Sequence, residues 1–120
     1  MADMAELLSL ANRLGDAIAA HPRVKAFVQA QAAVEKSDEA KKLLNTFEFA
    51  AARIHELEQQ GQPIEPEDKR RMRDSEQALS RSAELQALMR AQADYIELMN
   101  EINTAMSAPV ARAQQAASGS

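Results

Sequence analysis

The sequence predicts an all-α protein: an elongated antiparallel bundle of about five helices, with long coiled-coil-like helices that pair as a homodimer. Three observations carry this expectation. Apolar residues recur at alternating three- and four-residue spacing, which keeps one face of a helix apolar over many turns. The stripes are Leu85, Leu88, Gln92, Tyr95, Met99, Ile102, Met106; then Leu43, Phe47, Ala50, Ile54, Leu57; and Met4, Leu7, Ala11, Leu14, Ile18. Alanine is abundant while the aromatic residues are Phe27, Phe47, Phe49 and Tyr95 alone, so helix propensity outruns core volume. Proline, glycine and capping residues then cut the rhythm into helix-length pieces.

The elements follow in order. Asp3 with Glu6 forms an acid-x-x-Glu start for a first helix over about 4–20. His21-Pro22 interrupts it, proline suiting the first turn of a second helix over 22–36, with His21 as turn residue or cap. Ser37 or Asp38 caps a third helix over 38–60, and Gly61 stops it. Pro63 and Pro66 make 61–65 a loop, and Pro66 with Glu67 and Asp68 opens a fourth helix over 66–79. Ser80-Arg81-Ser82 is read as a kink or short break before a fifth helix over 82–106. Residues 1–108 are expected to form one helical domain, and 109–120, rich in Ala, Gln, Ser and Gly, a flexible tail.

Composition excludes several classes of function. Net charge is −4 with a pI near 5.2, which does not favour nucleic acid as a partner of the whole chain. The absence of cysteine removes disulfides, thiolate catalysis and cysteine-held metal clusters. The start has no basic segment of a signal peptide, and no apolar run nears the roughly 20 residues of a membrane span. A cytoplasmic protein with no membrane partner is expected.

No catalytic, metal or cofactor site is expected. Neither His21 nor His55 has a glutamate three residues earlier, so the Glu-x-x-His pattern of bundle metal sites is missing. Nucleophile elbows and glycine-rich phosphate loops are also lacking. The candidate residues are those of a core or oligomer seam: Leu14, Ile18, Val24, Phe27, Leu43, Phe47, Ile54, Leu57, Leu85, Leu88, Tyr95, Met99 and Ile102. Met72, Met89, Met99 and Met106 are read as core or dimer-seam filling, with an adaptable binding surface as the alternative, and Gly15 as a place where helices approach closely. Lys69, Arg70, Arg71 and Arg73 form the basic cluster, a possible contact for RNA or an acidic partner. Acids placed at i,i+4, such as Glu67 before Arg71 and Arg70 before Asp74, make internal pairing the plainer reading.

The order of these features resembles the YlbF/YmcA family of small helical regulators. The residues that carry it are Leu14-Gly15-Asp16-Ala17-Ile18, Pro22 to Phe27, Asp38 to Phe47, the Gly61 to Pro66 connection, Ala91 to Tyr95 and Glu101-Ile102-Asn103. The resemblance implies long antiparallel helices, self-association and no catalytic activity. It also implies regulation through protein partners, as in the complex with YaaT that promotes competence, sporulation and biofilm formation and assists ribonuclease Y in mRNA processing. This chain departs from the pattern in lacking cysteines for that complex's iron–sulfur clusters. It also carries Ser80-Arg81-Ser82-Ala83 where an Asn-Pro often precedes the last helix.

The expected function is therefore a non-enzymatic regulatory adaptor that binds itself and an unidentified protein partner. An RNA-associated accessory factor using Lys69 to Arg73, and a coiled-coil or chaperone-like clamp, are the alternatives.

Overall fold

A computed structural model describes residues 3–119, and among them five α-helices and no strand. They are α1 (Met4–Ala19), α2 (Pro22–Glu35), α3 (Asp38–Gln59), α4 (Pro66–Ser80) and α5 (Ala83–Ser118). Ends at Ala19, Glu35, Gln59, Ser80 and Ala83 differ from the expected ones by one residue, as fraying helix termini do.

Each start has a local cause. The Glu6 backbone N–H donates to Asp3 Oδ1 at 2.9 Å, and the Ala40 N–H to Ser37 Oγ at 3.1 Å. His21 caps α2: its ring Nδ1 accepts from the Arg23 N–H at 3.1 Å and its carbonyl from Val24 and Lys25. Ser82 Oγ accepts from the Leu85 N–H at 3.3 Å, so the interruption at Arg81 and Ser82 separates α4 from α5. α3 stops in a Schellman turn. The Gln62 N–H reaches Leu57 C=O at 2.9 Å and the Gly61 N–H reaches Glu58 C=O at 3.2 Å, with Gly61 at φ +68. Only glycine adopts that left-handed backbone without steric cost.

Two expectations are corrected. α5 does not end at 106 with a tail from 109; it runs to Ser118 with Pro109 inside it, while Ser120 lies outside the described residues. Proline forfeits one helical hydrogen bond and crowds one turn, but Ala108, Ala111, Ala113, Ala116 and Ala117 keep the surrounding propensity high. Gly15 is not a close-approach point: a Cβ there would meet nothing within 4 Å.

The chain divides into two compact units, one of Met1–Phe27 with Ala91–Ser120 and one of Val28–Arg90. In the first, Phe27 of α2 stacks on Tyr95 of α5, ring centroids 4.7 Å apart at 19°. In the second, α3 and α4 pack antiparallel across the Gly61–Pro66 turn. Its core gathers Val34, Ala40, Leu79 and Leu85, with Leu43, Leu44, Phe47 and Leu88 packed around them. Leu85 is the largest fully buried side chain, 2% exposed.

Leu85→Ala is expected to cost about 2–5 kcal/mol in denaturant unfolding, the range for truncating a buried leucine. Gly15→Ala is expected to stabilise α1 by up to about 1 kcal/mol in the same assay, since alanine outranks glycine in helices and the space is open.

Candidate protein-interaction surfaces

α1 has no buried residue. Met4, Leu7, Leu8, Leu10 and Leu14 all lie exposed on it, Met4 at 69%. α5 adds Met89, Ile96, Met106 and Val110 to the exposed apolar set. Full burial of such a side chain is worth about 1.5–3 kcal/mol, so helices that leave this many in water have unused capacity for association.

The seam residues distribute unevenly. Leu57 and Leu85 are buried; Ile18, Val24, Phe27, Leu43, Phe47, Ile54, Leu88, Tyr95, Met99 and Ile102 are half-buried; Leu14 is exposed. Leu43, Phe47, Leu85 and Leu88 come together in the core of the second unit. Phe27 and Tyr95 meet in the first.

The basic cluster sits on the first two turns of α4, where Lys69, Arg70, Arg71 and Arg73 are all exposed. Glu67 takes both central arginines: Arg70 pairs with it through Nη2, and Arg71 Nε lies 3.4 Å from Oε1. Arg70 thus turns back to Glu67 instead of forward to Asp74. Lys69 and Arg73 remain the cluster's outward charges.

Beside this cluster stands a feature that sequence spacing did not reveal. Asp68 is 5% exposed, and both its oxygens are engaged. Arg53 Nε of α3 donates to Oδ1 at 2.8 Å, and the Glu65 backbone N–H donates to Oδ2 at 3.2 Å. The carboxylate caps α4 and ties it to α3. Its position at the third residue after the Glu65 cap is a local signal for the first role. Its partner lies too far along the chain for any spacing rule to find the second. The Arg53 hydrogen bond holds the Asp68 carboxyl below the ordinary carboxylate range; burial opposes this, and the Glu65 N–H adds to the lowering. The same bond raises the Arg53 guanidinium.

Above the clamp, α3 and α4 leave an open cleft of about 290 Å³. Phe49, Ala50 and Ala78 supply its apolar wall, while Arg53, Arg71 and Asp74 line it with charge. Phe49 is 72% exposed there. Nothing in the stripe pattern singles it out, because it falls between the Phe47 and Ala50 positions of the buried face.

His55 is exposed and His21 serves as a cap. Among the described residues, no group of three or more His, Cys, Asp or Glu could hold a metal ion. Nor is any described helix long and apolar enough to cross a membrane.

Fold and surfaces together define an all-α protein whose distinguishing features are exposed apolar helix faces. The chain belongs to the Com_YlbF family (Control of competence regulator ComK, YlbF/YmcA), whose sequence profile matches residues 7–111. It is 29% identical over 104 residues to UPF0342 proteins of Staphylococcus aureus strains JH9 and Newman, covering 87% of this chain and 91% of each relative. Among solved structures, it is similar to Bacillus subtilis RicA, determined in complex with RicF. That match has a TM-score of 0.74 at 17% identity and covers 92% of this chain and 97% of that one. A protein of unknown function (DUF964) from Bacillus stearothermophilus matches with a TM-score of 0.72 at 19% identity, over 91% and 96% of the two chains. At these identities the structural likeness establishes the fold.

The clamp has a pH signature. A carboxyl whose pKa is lower folded than unfolded binds fewer protons in the folded state, so it stabilises the fold at neutral pH. That contribution is lost as the pH falls below about 4 and through the depressed value. Denaturant midpoints measured down the acid range should therefore fall more steeply for the wild type than for Asp68→Asn, which is also less stable at pH 7. Parallel pH profiles would remove Asp68 from this role.

Proposed function

We propose that this chain is a non-enzymatic, cytoplasmic regulatory adaptor that acts by binding protein: a second copy of itself along α1, and then a protein partner. The observation that carries the reading is the row Met4, Leu7, Leu8, Leu10 and Leu14, exposed on a helix that buries none of its own residues. Isolated surface leucines are ordinary, but a contiguous row along one helix marks a face that another protein covers. Family membership supports a regulatory role, and the capture of RicA in complex with RicF supports a protein as the partner. The processes attached to the resemblance are competence, sporulation, biofilm formation and ribonuclease Y mRNA processing; they are the family setting in which such an adaptor would act.

The RNA-associated reading is weaker. Glu67 neutralises the middle of the basic cluster, and its α4 segment, Pro66–Ser80, contains no aromatic residue on which a base could stack.

Sedimentation equilibrium tests the self-association. Wild-type protein should be dimeric at micromolar concentration, and Leu7→Glu with Leu14→Glu should weaken the dimer by at least about tenfold, since each buries a charge in the seam. A wild type that stays monomeric, or a double variant that dimerises undiminished, would discard α1 as the seam.

A further inference from the structure

The apolar stripe of α5 changes its surroundings partway along the helix. Its three- and four-residue rhythm runs from Leu85 through Leu88, Tyr95, Met99, Ile102 and Met106, and Val110 continues it four residues on. Leu85 is buried, and Leu88, Tyr95, Met99 and Ile102 are half-buried. Met106, by contrast, is 52% exposed and Val110 59%. Over residues 103–119 every residue except Ala108 is exposed. The pattern that packs the first part of α5 thus runs on with little of its own chain covering it.

α1 belongs to the same compact unit as this segment, and it too buries no residue. At about 3.6 residues per turn, Met4, Leu7, Ala11, Leu14 and Ile18 share one side of α1, while Glu6, Arg13 and Asp16 fall on the other. The side of α5 that carries Met106 and Val110 is free of charge as well, with Glu101 and Arg112 on the opposite side. Area and composition together select the occupant. The chain exposes 9177 Å², whereas a folded monomer of 13.2 kDa shows about 6,400 Å². The difference is about three times the roughly 800 Å² that each partner gives to an interface of standard size. Apolar, uncharged faces are the mark of permanent homodimers, whose interfaces resemble a domain core cut in half, and not of transient contacts. Short helices without buried residues are marginal in water, so their cover must be present whenever the chain is folded. A second copy meets that condition.

We infer that residues 103–118 of α5 are the other half of the α1 seam: α1 and this segment of one chain pack on the same two pieces of a second copy. Four helical segments then close one apolar core around a two-fold axis, each chain presenting the same patch to the other. The inference rests on the self-association proposed above and assigns the segment that composition marks as a tail to the interface.

The test uses the full chain. The sequence contains no cysteine, so Val110→Cys and Arg112→Cys each introduce a single thiol, on opposite sides of the same turn of α5. Iodoacetamide labelling of the Val110→Cys protein should slow as protein concentration rises through the association range, while the Arg112→Cys protein labels at one rate throughout. In sedimentation equilibrium, Met106→Glu with Val110→Glu should weaken the dimer at least about tenfold, because each places a charge in the closed core. Met106→Leu with Val110→Leu, which keeps the face apolar, should associate as wild type; circular dichroism checks that all variants remain helical. If the protein dimerises while Val110→Cys labels equally fast at every concentration, or if the double glutamate variant dimerises undiminished, the α5 half is overturned and the α1 seam stands. A wild type that stays monomeric overturns both.

Discussion

Alanine limits how much of this chain can be buried. The buried apolar side chains are Ala30, Ala40, Ala50 and Ala91 beside Val34, Leu57, Leu79 and Leu85. Alanine gives the strongest helix propensity and the least apolar area, so the helices form readily while their cores stay thin. The larger side chains that a richer core would use stand in water, most of them along α1 and α5. Helix formation and core formation are thus separated in this sequence, and the apolar surplus is left on the surface.

A thin core raises the importance of polar ties. Asp68 is the clearest: one carboxylate caps α4 through the Glu65 N–H and fastens it to α3 through Arg53. Burying it alone would be costly, and the two donors offset that cost. The Schellman turn at Gly61 ends α3 ahead of the connection that returns the chain to pack α4 against it. Ser75, also buried, satisfies its hydroxyl within its own helix, donating to Met72 C=O at 2.8 Å. The result is a fastened hairpin whose outer cleft presents Phe49 against guanidinium groups.

Local chemistry makes much of the fold legible. Asp3, Ser37, Pro66 and Gly61 are boundary residues whose effects act within a few positions, and each stands at the boundary that chemistry assigns it. Family resemblance is legible because it lies in the order of these breaks, and the match over residues 7–111 agrees with it. The features that escape are non-local or competing. Arg53 and Asp68 meet only after the hairpin closes. Pro109 suggests the beginning of a tail because proline opposes helix, whereas the alanines around it outweigh one lost bond. Phe49 is inconspicuous in a period count because its significance comes from α4, not from its own helix. Gly15 invites a packing explanation that its open surroundings do not support.

Coverage of the exposed α1 face by a second protein chain can be measured without altering the sequence. Amide hydrogen exchange does so when followed residue by residue at protein concentrations from about 1 μM to about 500 μM. With α1 as the seam, amides from Leu7 to Ile18 gain protection as concentration rises, while those of α3 around Leu57 stay constant. An α1 that exchanges like a frayed helix at every concentration, with no gain in protection, would refute it.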